Sequence, residues 1–325
     1  MTTLAHGNTL QSRYGKLGGY TGHMIAPPER IKALIMGLPG SGKSAFLQSH
    51  PDAFIFNLDI SSTVTPNPRA TLWPGLDSTT GQPINDAGAP TTLTWTGIAE
   101  KIAILKELAA TNQPRPSTIV FDSLSAWTAL LFNWIPANAV PLYLRSPEKG
   151  PTDNWRALEG KAAWTALYDI ICNTINDLAS AGYGVYVVAH VVQTRVPLGD
   201  DQFTTEVDFA GGAGLWKRIF PLFELSAVLT TDTGTREITR LDTVKNRDGS
   251  TREITRRTSE SYKAFKLTYS LPQLAAISKS RVDIGEIILP EHDAWTHFAS
   301  VYNKARAARI TPTTPAVGVV PAQTP

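Results

Sequence analysis

The chain has 325 residues, 42% of them hydrophobic and 18% charged, with a net charge of +2. That is ample material for a buried core, and too balanced a charge for a whole-molecule field that gathers polyanions. The single cysteine, Cys172, excludes an internal disulfide and a cysteine-rich zinc site, and its apolar surroundings Tyr168–Ile171 mark it as a small core residue.

Residues 1–28 are polar and glycine-rich and read as an arm without a core of its own. Arg13, Tyr14, Lys16 and Tyr20 within it suit either a flexible leader or a partner contact. The arm lacks the apolar stretch of a signal peptide, and no run approaches the ~18 apolar residues of a membrane helix. A cytoplasmic protein with no membrane partner is therefore expected.

Order is expected from Ile31. Ile31–Met36 is a short apolar run ending at Gly37, as in a buried parallel strand. Ala45-Phe46-Leu47 continue into a helix, and Ala53–Leu58 form a second strand. Residues 61–95, rich in Thr, Pro, Gly and Asn, read as a long loop. Ile98, Ile102, Leu105 and Leu108 share one helical face, and Thr118–Phe121 form a third strand. Residues 154–180 form a further helix with Leu167, Ile171 and Ile175 inward, and Gly184–Ala189 a fourth strand.

After Pro221 strands follow one another, at Phe223–Leu229, Ala264–Tyr269 and Leu274–Ser278. The hexapeptide Thr-Arg-Glu-Ile-Thr-Arg occurs at 235–240 and again at 251–256, around an Asp248-Gly249 turn signal. This predicts a projecting hairpin over about 235–257. From Arg236 to Lys266 nine basic residues outnumber five acidic ones, which suits a solvated face or a functional one. Ala294–Ala308 close the fold as a helix, and residues 310–325 read as a proline-rich disordered tail. The expected fold class is therefore α/β, one domain over 29–309 with a mostly parallel twisted sheet, helices on both faces and antiparallel edge strands.

Gly37-Leu38-Pro39-Gly40-Ser41-Gly42-Lys43-Ser44 has the Walker A spacing, after a strand and before a helix that Ala45 continues. Glycines let successive N–H groups curl around a phosphate, and the helix start adds its positive end. Lys43 brings a mobile charge to the β- and γ-phosphates, and Ser44 a hydroxyl to Mg²⁺. ATP and Mg²⁺ are the expected ligands, and ATP hydrolysis the expected activity.

Asp122 ends an apolar strand, as in a Walker B segment, and is placed to hold Mg²⁺ with Ser44. Ser123 rather than Glu follows it, so a base must come from elsewhere. Asp59, at the end of the second strand, could orient the attacking water, or could be a turn residue. His190 and Gln193, expected just after the fourth strand, could contact the γ-phosphate; the alternative for His190 is a satisfied, partly buried histidine.

Ile119–Ala126 resembles the Walker B segment of RecA-type recombinases, and the order of motifs resembles the RecA-like core. The compact form is most similar to phage nucleotide-binding ATPases of the single-strand-annealing kind, over residues 31–285. The resemblance implies that Asp59 stands at the place of a catalytic glutamate and His190 at that of a γ-phosphate sensor. It implies that Lys279 and Arg281 form a Lys-x-Arg finger reaching a neighbouring subunit's nucleotide. It implies single-stranded DNA as partner, through loops at about 136–156, with Arg145, Lys149, Trp155 and Arg156, and 191–218, with Arg195, Phe203, Lys217 and Arg218. Asp200, Asp201, Glu206 and Asp208 lie in the second of these. A homo-oligomer, ring or filament, follows, with action in recombination, annealing or replication, a single-strand-binding protein as a further partner, and the host cytoplasm as location. A ring-forming motor and a non-hydrolysing nucleotide-switched scaffold remain open beside it.

Overall fold

A computed structural model describes residues 25–59, 68–77, 79–138, 161–199, 202–209, 212–245, 251–268, 279–290 and 293–310. Much of the amino-terminal arm, most of the first expected DNA loop, the Asp-Gly turn, Leu274–Ser278 and the proline-rich tail lie outside them.

The strands are β1 (Lys32–Gly37), β2 (Ala53–Asn57), β3 (Thr71–Trp73), β4 (Gly75–Leu76), β5 (Pro83–Ile84) and β6 (Thr118–Asp122). They continue with β7 (Gly184–Gly199), β8 (Gln202–Phe209), β9 (Leu225–Lys245), β10 (Thr251–Thr268), β11 (Lys279–Ser280) and β12 (Ile287–Pro290). The helices are α1 (Lys43–Gln48), α2 (Trp95–Ala110), α3 (Leu124–Asn138), α4 (Lys161–Ser180), α5 (Gly212–Ile219) and α6 (Ala294–Ile310).

The main sheet runs β12-β10-β9-β1-β7-β6-β2-β3. From β9 to β3 every neighbouring pair is parallel, and β10 and β12 close the other side antiparallel. The protein is thus an α/β fold with a mostly parallel sheet and antiparallel edge strands. Alternation along β1 divides the core. Leu34 and Met36 join the side chains of α2, α3 and α4 on one face, while Ala33 and Ile35 meet α1 and α6 on the other. Parallel strands covered on both faces must be apolar nearly throughout, as β1 and β6 are.

Packing begins ahead of Ile31: Ile25 is buried, its carbonyl accepts from Arg306 Nε, and the Pro28 carbonyl accepts from the Tyr186 hydroxyl. Residues 61–95 are not all loop. Thr71–Trp73 adds β3 in parallel to the open edge of β2, where β-branched and aromatic residues pair well even over three positions. Cys172 is half-buried against the core, which pushes its thiol pKa up.

A larger correction concerns 191–218, whose described residues all lie in strands or a helix. β7 continues through His190 and Gln193 to Gly199, pairs antiparallel with β8, and is followed by α5. The physical reason is the β-branched content of Val191-Val192, Thr194, Val196, Thr204-Thr205 and Val207, which favours extended pairing over a loop. In the same segment Lys217 and Arg218 are exposed, and Arg218 lies over the Tyr168 ring, 3.9 Å from Asp169. The first expected DNA loop starts inside α3, and Arg145, Lys149, Trp155 and Arg156 fall outside the described residues.

Candidate nucleotide site

β1 delivers the chain to Gly37 at the carboxyl edge of the sheet. A Cβ there would lie 2.4 Å from the Leu229 carbonyl oxygen and 2.5 Å from Ser41 Oγ, so the turn requires glycine. Gly40 and Gly42 hold φ of 77° and 89°, the left-handed region that other residues enter at a cost. Gly42 caps α1, its carbonyl accepting from the Phe46 amide at 2.9 Å.

Lys43 is 4% exposed and folds back on the loop that precedes it. Its ammonium donates to the carbonyls of Gly37 (2.9 Å) and Leu38 (2.8 Å) and to Ser41 Oγ (3.4 Å). Burial pulls its pKa down to about 8, against the opposing pull of the Asp122 and Asp59 charges.

Asp122 ends β6, which is joined to β1 through β7, and is 4% exposed. Burial raises its pKa; the Ser44 hydroxyl donating to it and the Lys43 charge oppose this, and the Asp59 charge adds to it. Its peptide to Ser123 is cis. Across β2, Asn57 pairs in register with Asp122. Just beyond, the amides of Leu58 and Asp59 both donate to the Asp122 carbonyl.

His190 stands beside Gly37 in the β1–β7 register. Its pKa is lowered by burial and by the Lys43 charge, against the pull of Asp59, so the ring is neutral at pH 7. Its buried Nδ1 has no hydrogen-bond partner among the described residues, a group that a polar ligand would satisfy.

Lys43, Ser44, Asp59, Asp122 and His190 therefore share one electrostatic neighbourhood at the carboxyl edge of the sheet. Gln193 lies three residues further along β7, its side chain outside the described residues. Lys279 and Arg281 do not join them. β11 pairs with the start of β9, Lys279 opposite Ser226. The Arg281 amide donates to the Glu224 carbonyl at 3.2 Å, and its guanidinium lies 3.7 Å from the Glu224 carboxylate. The Glu224 amide in turn donates to the Lys32 carbonyl at the start of β1, so Arg281 sits at the opposite sheet edge from Gly37.

Sequence reading missed two features. Asn57 is buried beside Asp122 at the floor of the site; only the register reveals it. His50, after α1, is buried on the face away from α2–α4, where its ring stacks on Trp295 at 3.8 Å. A lone histidine outside any motif gave no signal.

The residues fit ATP with Mg²⁺. Gly37 leaves no room for a side chain where the loop turns. Ser44 and Asp122 offer hydroxyl and carboxylate oxygens, the hard donors that Mg²⁺ takes a few of while keeping waters and phosphate oxygens.

A strand-loop-helix glycine turn with a buried carboxylate at the end of the next strand but one defines a P-loop ATPase domain. A family model described as an AAA domain (AAA_24) matches residues 29–252, and the chain belongs to that family. Among solved structures, it is similar to a KaiC-like protein from the hyperthermophilic archaeon Pyrococcus horikoshii OT3. That match has 10% identity and a TM-score of 0.31, over 82% of this chain and 92% of that one. No curated protein matches the chain. No helix among the described residues is long and apolar enough to cross a membrane.

Proposed function

We propose that the chain is a RecA-like ATPase that hydrolyses ATP with Mg²⁺ at the interface between copies of itself and acts on single-stranded DNA. The setting is recombination, annealing or replication, in a phage. The observation that carries the interface is the separation of Arg281 from Gly37 across the sheet, where it lies beside Glu224 and away from the nucleotide loop of its own chain.

In this reading the backbone from Leu38 to Ser44 cradles the β-phosphate, and Lys43 exchanges its carbonyl partners for β- and γ-phosphate oxygens. Ser44 and Asp122 would hold Mg²⁺, which supplies charge neutralisation along the phosphates. Asp59 orients the attacking water and accepts its proton. Neutral His190 hydrogen-bonds near the γ-phosphate. Lys279 and Arg281 of a second copy complete the charge around the transition state.

The test is the ATPase rate with and without single-stranded DNA at two salt concentrations. Stimulation that weakens with salt is expected. No binding and no stimulation at low salt would remove the DNA role. Equal near-zero rates for the wild type and Lys43→Ala would remove hydrolysis.

A further inference from the structure

We propose that the β9–β10 ribbon is a nucleic-acid arm whose one face contacts the phosphates of single-stranded DNA through Arg236, Arg240, Arg252 and Arg256. This rests on the single-stranded DNA reading above and names where the strand is held.

The ribbon leaves the body of the fold. β1 pairs with β9 only from Leu225 to Val228, and β12 with β10 only from Ala264 to Leu267. Every row from Thr233↔Lys263 out to Lys245↔Thr251 is bounded by β9 and β10 alone, with no third strand among the described residues. At ~3.4 Å per residue that is an arm of roughly 40 Å.

The duplicated hexapeptide and the register together set the charge. In Thr-Arg-Glu-Ile-Thr-Arg the arginines are four apart, so each copy places both on one face of a strand. The copies do not pair with each other in register. They overlap only at their last residues, where Arg240 stands opposite Arg256. Directly opposed residues share a face, so all four repeat arginines fall on the same side of the ribbon. The repeat glutamates, Glu237 and Glu253, fall on the other side. On the arginine face from row Arg236↔Glu260 to row Val244↔Arg252, only Asp242 and Glu260 oppose the four arginines.

Like charges directly opposite each other weaken a ladder. Arg240 and Arg256 stand at the middle of a row of arginines about 27 Å long, counted as eight residues of strand. An extended polyanion relieves that repulsion along the whole row, and guanidinium groups suit phosphate oxygens. Tyr262, opposite Gly234, lies on the same face nearer the body and adds an aromatic of the kind that single strands stack on. An arm carrying its cations in a line, rather than a pocket, fits a strand and not a small anion.

The test is binding of the full-length protein to a fluorescent oligothymidylate across a salt series, comparing wild type, Arg240→Gln/Arg256→Gln and Glu260→Gln. Each single-strand phosphate contact contributes about 0.7 to the slope of log K against log salt, so the double variant should lose about 1.4 from that slope. Its DNA-free ATPase rate should be unchanged, since the pair lies outside the nucleotide site. Glu260→Gln removes an acid from the face and should tighten binding at low salt. A wild type that binds DNA while both variants bind with the same affinity and slope overturns the arm and leaves the DNA reading standing. A wild type that binds no DNA at low salt overturns both.

Discussion

Asp59 is fastened to Asp122 through the backbone. The amides of Leu58 and Asp59 converge on the Asp122 carbonyl oxygen, at 2.6 and 3.0 Å. The candidate base is therefore tied to the candidate metal ligand by two backbone hydrogen bonds. Its charge acts on Lys43, Asp122 and His190 alike.

This coupling separates binding from chemistry. Asp59→Asn keeps the backbone bonds and the side-chain size but removes the proton acceptor. The expected result is ATP affinity close to wild type and a turnover lower by about 10²–10⁴-fold, the range for loss of a general base. Steady-state ATPase kinetics beside equilibrium binding of a fluorescent ATP analogue check it. Unchanged turnover would return Asp59 to a turn residue.

Asp122 carries an opposite pair of effects. Its folded pKa lies above its unfolded value because burial penalises the charge. A raised carboxylate pKa helps the fold only at low pH, and that help is lost as pH rises through the folded value, so the buried carboxyl costs stability above it. Asp122→Asn still accepts from the Ser44 hydroxyl and removes that cost. The expected melting temperature rises by about 1–2 °C for a gain near 1 kcal/mol. Mg²⁺-dependent ATP affinity falls at least about tenfold, or ~1.4 kcal/mol. Thermal melts without nucleotide, and titrations with Mg²⁺ and with EDTA, read the two effects. A lower melting temperature would place the value of the carboxylate in the fold.

How much of this was legible in the sequence depended on how local the signal was. Gly37–Ser44 and Asp122 were readable because the loop chemistry fixes residue types at fixed spacing. The strands β1, β2 and β6 were readable because burial on both faces demands continuous apolar runs. β3 was not, since the three residues Thr71–Trp73 are too few to show an alternation. α3 was missed because Leu124–Asn138 is apolar on most sides and contains Pro136, which hides a helical stripe. The continuation of β7 through His190 was hidden because Pro197 and the acids at 200–208 read as loop, while pairing with β8 overrides that preference. The place of Arg281 at the far sheet edge depends on the pairing of β11 with β9, a tertiary fact that no local pattern encodes.

His50 predicts an acid-sensitive fold. It is 1% exposed, and its Nδ1 accepts from the Asp52 amide at 3.1 Å. Nε2–H is therefore the donor to Thr118 Oγ1, at 2.9 Å, and the ring must be neutral. Burial lowers its pKa to about 4, only partly offset by the Asp52 charge. A depressed histidine pKa gives stability that is present above the unfolded value of 6.5 and is lost as pH falls toward the folded value. The swing between these limits is about 3 kcal/mol. Urea unfolding across this range should show that fall. His50→Phe keeps a ring for Trp295 to stack on, gives up the Thr118 bond, and should lose this part of the pH slope. The same slope in the variant would assign the acid sensitivity to other groups.

Lys43 predicts an alkaline limit on nucleotide binding. Its ammonium is held at about 8 by burial, with Asp122 and Asp59 already pulling upward. In the free protein the charge is full well below that pH and lost above it. Bound phosphates favour the charged form, so the pKa rises on binding, and linkage makes affinity fall as pH climbs past the free value. The expected profile is flat from pH ~6 to ~7, then declines by up to tenfold per pH unit above ~8 until the bound-state pKa is reached. Lys43→Arg keeps its charge throughout, so any residual binding should lack the decline even if the fork fits the loop poorly. Titrating a fluorescent ATP analogue at fixed Mg²⁺ over pH 6–9.5 measures it. A wild-type affinity that stays level to the top of the range would mean that the ammonium keeps its bonds to Gly37 and Leu38 and leaves the phosphates to the backbone.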